Sequence, residues 1–163
     1  RNTFADIGAT VLDWFGLPQD KISGNSFLRD VRNISDGELL NLAIEARENS
    51  YSPYSSFRVG AALLTKNGTV YKGCNVENAA YSPTNCAERT AFFKAVYDGH
   101  RKFTAIAVCG GKDGLIEGVF PPCGVCRQVM AEFCSPAFLI YLPDGNTYKT
   151  YTLAQLLPEQ FNL

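Results

Sequence analysis

The chain has 163 residues, 46% of them hydrophobic, with 15 Lys+Arg against 16 Asp+Glu and a formal charge of -1. That length suits one main domain with a sizeable core, and the balanced charge lacks the basic excess of nucleic-acid-binding domains, so small substrates are expected and nucleic-acid partners are not. No stretch approaches the ~20 apolar residues of a spanning helix, and no basic segment precedes a hydrophobic run at the start, so neither a membrane anchor nor a secretory signal is expected.

In chain order, residues 1–32 form an N-terminal extension whose composition sets no clear element, and 33–163 form the main domain. An N-terminus without Met leaves room for a longer native product, which an intact mass would settle. Ser35-Asp36-Gly37-Glu38 has capping-box spacing ahead of Leu39, Leu40, Leu42, Ala43, Ile44 and Ala46, which predicts a helix to about Asn49. Phe57 to Thr65 and Thr69 to Val76 read as antiparallel strands, and Asn67-Gly68 supplies the positive φ angles of a tight hairpin between them. Cys86 opens an amphipathic run through Ala91, Phe92, Ala95 and Val96 that stops at Asp98-Gly99. Phe103 to Cys109 and Ala137 to Leu142 are buried strands, with a helix over Gly124 to Phe133 between them. Strand, helix, strand there implies a right-handed crossover with parallel strands. Pro143-Asp144-Gly145-Asn146 turns the chain into a last antiparallel strand, Thr147 to Tyr151. The sum is an α/β fold with a mixed five-stranded sheet and helices on both faces.

Six cysteines without a secretory signal read as reduced thiols and metal ligands in a cytoplasmic protein. Three of them carry the chemistry: Cys86, two residues before Glu88, and Cys123 with Cys126 in Pro122-Cys123-Gly124-Val125-Cys126. Three protein ligands leave the fourth tetrahedral position of Zn²⁺ open for water, whereas structural zinc sites close all four. Glu88 lies near enough to act as general acid and base without binding the metal. Both ligand segments begin helices, whose N-terminal dipoles favour thiolate. Cys74, Cys109 and Cys134 fall in core elements as small buried hydrophobes, and His100 after Gly99 is a dispensable surface cap. Asn75 and Glu77 stand at i and i+2 near a strand end, on one face, where two polar groups could read a ribose hydroxyl. Other readings stay open on these residues: a thiol-disulfide oxidoreductase using Cys123 and Cys126, or a zinc-stabilised binding module, which should show a closed four-ligand set.

Tyr51-Ser52-Pro53-Tyr54-Ser55, Phe57 to Ala61, Gly73 to Tyr81, Cys86 to Ala91, Pro122 to Gln128 and Leu156-Leu157-Pro158, in this order, resemble segments of the cytidine deaminase family, in its small class acting on free nucleosides. The cysteine pattern is similar to the three-cysteine form of the zinc deaminase signature. The resemblance implies a three-layer α/β/α sandwich, a Zn²⁺ cofactor held by Cys86, Cys123 and Cys126, and a homotetramer with shared active sites. It implies hydrolytic deamination of cytidine and deoxycytidine to uridine and deoxyuridine in pyrimidine salvage, zinc-bound water attacking C4 while Glu88 shuttles protons. Three thiolates outweigh the +2 charge of the metal, so a cation should compensate; the resemblance places Arg89 beside them, and Arg127 is a second candidate on the charge argument alone. Phe57 would pack on the base, Ala87 would lend it a backbone contact, Asn75 and Glu77 would hold the sugar 3′ hydroxyl, and Phe161 would reach a neighbouring subunit's site. An aminonucleoside deaminase acting on a substrate such as blasticidin S shares these catalytic parts. Within residues 1–28, Arg1 to Thr10, Trp14-Phe15-Gly16 and Gly24 to Leu28 resemble the C-terminal tail of phosphopentomutase, without the His/Asp cluster of its two-metal chemistry.

Overall fold

A computed structural model describes residues 34–112 and 114–161, together with Ala9, Val11, Leu12, Trp14 and Phe15. The chain divides into two units, Arg1–Ile34 and Ser35–Leu163. In the first, Ala9, Val11, Leu12 and Trp14 are helical, and the Phe15 N–H donates to Val11 O at 3.2 Å. The mutase-like segment and the boundary expected at 32/33 otherwise fall outside the described residues.

The second unit runs α1 (Asp36–Arg47), β1 (Phe57–Thr65), β2 (Val70–Cys74), α2 (Ala87–Tyr97), β3 (Phe103–Lys112), α3 (Gly124–Phe133), β4 (Leu139–Asp144), β5 (Thr147–Thr152) and the short α4 (Leu153–Leu156). The five strands form one sheet in the order β2-β1-β3-β4-β5. Only β3 and β4 pair in parallel; the other neighbours are antiparallel, so the sheet is mixed. Among the described residues no helix is long and apolar enough to cross a membrane.

The capping box forms as the sequence implies: the Glu38 N–H donates to Ser35 Oγ at 3.3 Å and the Ser35 N–H to Glu38 Oε2 at 2.8 Å. Strand β1 is central and buried on both faces, so its alternate residues serve two layers. Val59, Ala61 and Leu63 pack with Ala91 and Phe92 of α2 and with Cys126 and Met130 of α3. Gly60 faces the other way, where a Cβ would lie 2.0 Å from Ala43 O of α1. Gly73 does the same for α2, since a Cβ there would lie 2.3 Å from Ala87 O. Glycines in β1 and β2 thus let α1 and α2 approach the sheet from its two sides, and the second approach sets the helix end that carries Glu88 on the sheet. Phe92 extends the core toward β3 and α3, with Phe103 and Phe133 ring centroids at 5.0 and 6.1 Å.

Several boundaries differ from the sequence reading for local reasons. Helix α1 ends at Arg47, short of Asn49, and β2 ends at Cys74, short of Val76. In the hairpin only Gly68 has positive φ (86°), not Asn67 as well. The Gly68 N–H donates to Thr65 O at 3.0 Å and the Thr65 N–H to Thr69 O at 2.9 Å, which is the three-residue loop with a left-handed glycine at its end. Strand β3 continues past Cys109 to Lys112 because Gly110, Gly111 and Lys112 pair with Val59, Arg58 and Phe57. At the end of α2, Gly99 (φ 89°) donates to Val96 O and the following His100 N–H to Ala95 O, a Schellman closure.

Candidate metal centre

Cys86 and Cys123 are the N-cap residues of α2 and α3, both with extended backbone and neither using its side chain to cap the helix. Their sulfurs are therefore free to point at each other across the two helix starts. Cys126, one turn into α3, is buried. The three Sγ atoms lie within 4.8 Å of one another, with Cys86 to Cys123 at 3.9 Å and Cys123 to Cys126 at 3.5 Å. A tetrahedral zinc with Zn–S near 2.3 Å sets its sulfurs about 3.8 Å apart, so this donor set fits the ion. No other such cluster of metal-ligating side chains occurs among the described residues. The start of α2 is tied to β2 by Thr90, whose Oγ1 donates at 3.0 Å to Cys74 O and receives Asn85 Nδ2 at 3.0 Å.

Glu88 is 3% exposed and is the buried carboxylate of the described residues. Burial raises it to about 7, opposed by a hydrogen bond from its own backbone N–H and helped by the negative charge of Cys86. A carboxyl in that range gives and takes protons readily near neutral pH. The neighbouring Cys126 thiol, then the Arg89 guanidinium, pull Cys86 down to about 5. The same contact with Cys86 pushes the Cys126 thiol upward, toward keeping its proton. A divalent cation displaces such a proton as it binds.

Arg89 lies beside Cys86. Its Nη2 lies 3.5 Å from Cys86 Sγ and donates to Thr84 O at 3.2 Å, while its buried Nε has no hydrogen-bond partner among the described residues. Arg127 is engaged elsewhere: its Nε donates to Pro122 O at 2.6 Å and Nη1 to Leu156 O at 2.8 Å, clamping the start of α3 to α4. Its hydrogen bonds thus go to main-chain carbonyls and not to the thiolates.

Asn75 and Glu77 lie just beyond β2, not on it. Asn75 is buried; its Nδ2 donates to Phe57 O at 2.9 Å and its Oδ1 accepts from Val59 N at 2.8 Å, so the side chain extends the β2 ladder against β1. Glu77 Oε2 accepts from the Tyr54 and Ser55 N–H groups at 2.9 and 3.2 Å, and Oε1 from the Ser55 hydroxyl, which holds the carboxyl below its usual range. Glu77 thereby organises the segment Tyr54 to Ser55, and Asn75 the start of β1. Phe57, half-buried at the start of β1, packs against Phe120 with centroids 4.9 Å apart and the rings tilted by 38°. Ala87 is buried at the first turn of α2, where backbone N–H groups lack intrahelical partners. Phe161 has an exposed ring, and its carbonyl accepts from Gln128 Nε2 at 3.1 Å.

Four residues of this neighbourhood have no role assigned from the sequence. Ser50 donates to Asn75 Oδ1 at 2.7 Å, and Ser55 binds Glu77. Phe120 shares with Phe57 the space above Gly110, where a Cβ would strike both rings. Arg47, 2% exposed, binds four carbonyls, those of Arg58, Gly111, Gly114 and Leu115. Only Ser55 had a local signal, its adjacency to the Tyr-Ser-Pro-Tyr run; the others depend on partners distant in sequence. A cleft bounded by Ser50 to Pro53, Ser56, Arg58 and Gly114 holds none of the thiols and not Glu88, and its Arg58 already faces Glu48 at 3.4 Å.

Comparison with known proteins agrees with this centre. A cytidine deaminase of Sporosarcina psychrophila is 56% identical over 120 residues, spanning 72% of this chain and 85% of the relative. One from Halalkalibacterium halodurans is 51% identical over 124 residues, 76% of this chain and 91% of its own. The crystal structure of cytidine deaminase from Burkholderia pseudomallei superposes with a TM-score of 0.72 at 45% identity, covering 78% of this chain and 99% of that one. The family described as the cytidine and deoxycytidylate deaminase zinc-binding region matches residues 34–142, which include all three thiols and Glu88. The chain belongs to the zinc-binding cytidine and deoxycytidylate deaminase family.

Proposed function

We propose that this chain deaminates cytidine and deoxycytidine hydrolytically, releasing ammonia and leaving uridine or deoxyuridine, as a cytoplasmic homotetramer in pyrimidine salvage. The observation that carries the reading is one buried carboxylate, Glu88, standing two residues from a thiol that converges with two others at two helix N-termini. Bound there, zinc would supply the Lewis acidity that makes water nucleophilic near neutral pH. Glu88 does the proton work. It takes one proton from the attacking water and delivers it to ring N3, where it remains in the product. It then carries the second to the departing amine, so that both protons of the water are accounted for.

The other side chains bind and orient. Arg89 offsets the excess negative charge of three thiolates around a dication, a role supported by its 3.5 Å approach to Cys86. Phe57 packs on the base and the Ala87 main chain contacts it. Asn75 and Glu77 address the 3′ hydroxyl that both nucleosides possess. The exposed ring of Phe161 suits insertion into a neighbouring subunit's site. Residues 1–32 are a fused or retained mutase-like tail outside this chemistry.

Ultraviolet-monitored conversion of cytidine and deoxycytidine, before and after chelation, tests the proposal. Turnover of both nucleosides that disappears on chelation and returns with Zn²⁺ supports it. A folded, zinc-loaded protein inert toward both would end it.

A further inference from the structure

The two residues assigned to the sugar are nearly saturated from within the chain. Asn75 Oδ1 accepts from the Val59 N–H at 2.8 Å, and the single Ser50 hydroxyl proton is shared between Asn75 Oδ1 at 2.7 Å and Val59 O at 3.0 Å. Its Nδ2 gives one proton to Phe57 O at 2.9 Å and keeps the other. Glu77 Oε2 accepts twice, from Tyr54 N and Ser55 N, and Oε1 accepts once, from the Ser55 hydroxyl. A carboxylate offers about four acceptor sites, so a single site is left, on Oε1. Glu77 thus keeps one acceptor and Asn75 one amide proton, which together complement a hydroxyl group.

Ser55 sets that count. Its Oγ donates to Glu77 Oε1 and accepts the Phe57 N–H at 3.0 Å, joining the sugar-directed carboxylate to the residue whose ring faces the base. Between them Ser56 turns through the left-handed region at φ 56°, a conformation that a non-glycine residue keeps when its surroundings impose it. The Ser55 side chain spans that turn.

We infer that Ser55 is a positioning residue for nucleoside recognition: held between Glu77 Oε1 and the Phe57 N–H, its hydroxyl aims the one remaining Glu77 acceptor at a sugar hydroxyl. This rests on the proposed assignment of Glu77 to the sugar. Without the Ser55 hydroxyl, Oε1 gains a second open site that water occupies, and only the two bonds to Oε2 still hold the carboxylate. The sugar hydroxyl then loses a directed partner, while Glu88 and the three thiols are untouched.

The test is steady-state kinetics on the zinc-loaded full chain with cytidine and with its analogue lacking the 3′ hydroxyl. Ser55→Ala should raise KM for cytidine roughly three- to tenfold with kcat within about twofold, as loss of a ground-state binding contact does. KM for the analogue should rise less than for cytidine, since release of the Phe57 N–H is common to both substrates, and Ser55→Thr should restore cytidine. Ser55→Cys, of similar volume, carries the same expectation as Ser55→Ala. Equal losses on both substrates, or none on cytidine, overturn the inference. Glu77→Gln separates the two levels: if it treats the substrates alike, the sugar assignment itself falls, whereas discrimination by Glu77→Gln without discrimination by Ser55→Ala removes only the role of Ser55.

Discussion

The metal end and the sugar end of this site are built in opposite ways. At the metal end, Cys86, Cys123, Cys126 and Glu88 all stand within a turn of two helix starts, and α2 is held to the sheet so closely that Gly73 has no room for a Cβ. At the sugar end, Asn75 and Glu77 stand past the end of a strand and are fixed by side-chain hydrogen bonds, Asn75 to Ser50, Phe57 and Val59 and Glu77 to Tyr54 and Ser55 in an exposed segment. Rigid backbone positions the reacting groups, and a polar network positions the groups that recognise substrate. Damage to the first should therefore appear in kcat and metal content, and damage to the second in KM.

The widest separation should come from Cys126→Ala. Removing the buried thiol takes away one of three ligands, so zinc content measured by mass spectrometry should collapse and turnover should fall by ~10³ or more, the helices persisting by circular dichroism. Arg89→Ala is next. It leaves the ligands and removes the cation beside Cys86, with an expected loss of roughly 10- to 100-fold in zinc affinity or kcat and little change in KM, as for other partners of metal ligands. Unchanged affinity and turnover would show that the thiolate charge needs no such partner.

At the sugar end, Asn75→Ala breaks three hydrogen bonds and leaves the Val59 N–H and Phe57 O without partners. It should raise KM about tenfold and lower stability in denaturant by about 1–3 kcal/mol, with zinc content unchanged. A kcat effect larger than the KM effect would blur the division drawn between the two ends. The smallest effect belongs far from both. Ser35→Ala removes the capping box of α1 and should cost about 1 kcal/mol in stability with both kinetic constants intact.

What the sequence alone conveyed follows the same division. The thiols and Glu88 were legible because their spacing and their helix-start positions are local, and the capping box at Ser35 and the glycine closure at Gly99 are local too. The structural role of Asn75 was not, because its partners Phe57 and Val59 lie 18 and 16 residues upstream and meet it only when β1 and β2 pair. Strand periodicity suggested that Asn75 continued β2, whereas the register ends at Cys74, Asn75 adds one backbone bond to Val59 O, and its side chain supplies the bonds to Val59 N and Phe57 O. Burial of Arg47 was illegible for the same reason: three of its four carbonyl partners lie 64 to 68 residues along the chain. No carboxylate signals them. Arg127 followed a charge argument that its backbone partners override.

The central claim is that Glu88 moves the protons while the thiols hold the metal, and Glu88→Gln, purified with zinc, tests it most directly. Its amide keeps the shape of the side chain and removes its proton chemistry. Zinc at wild-type stoichiometry with cytidine turnover reduced at least ~10²-fold is the predicted result. Turnover within about tenfold of wild type at full zinc occupancy would contradict it, because general acid and base catalysis is typically worth 10²-fold or more.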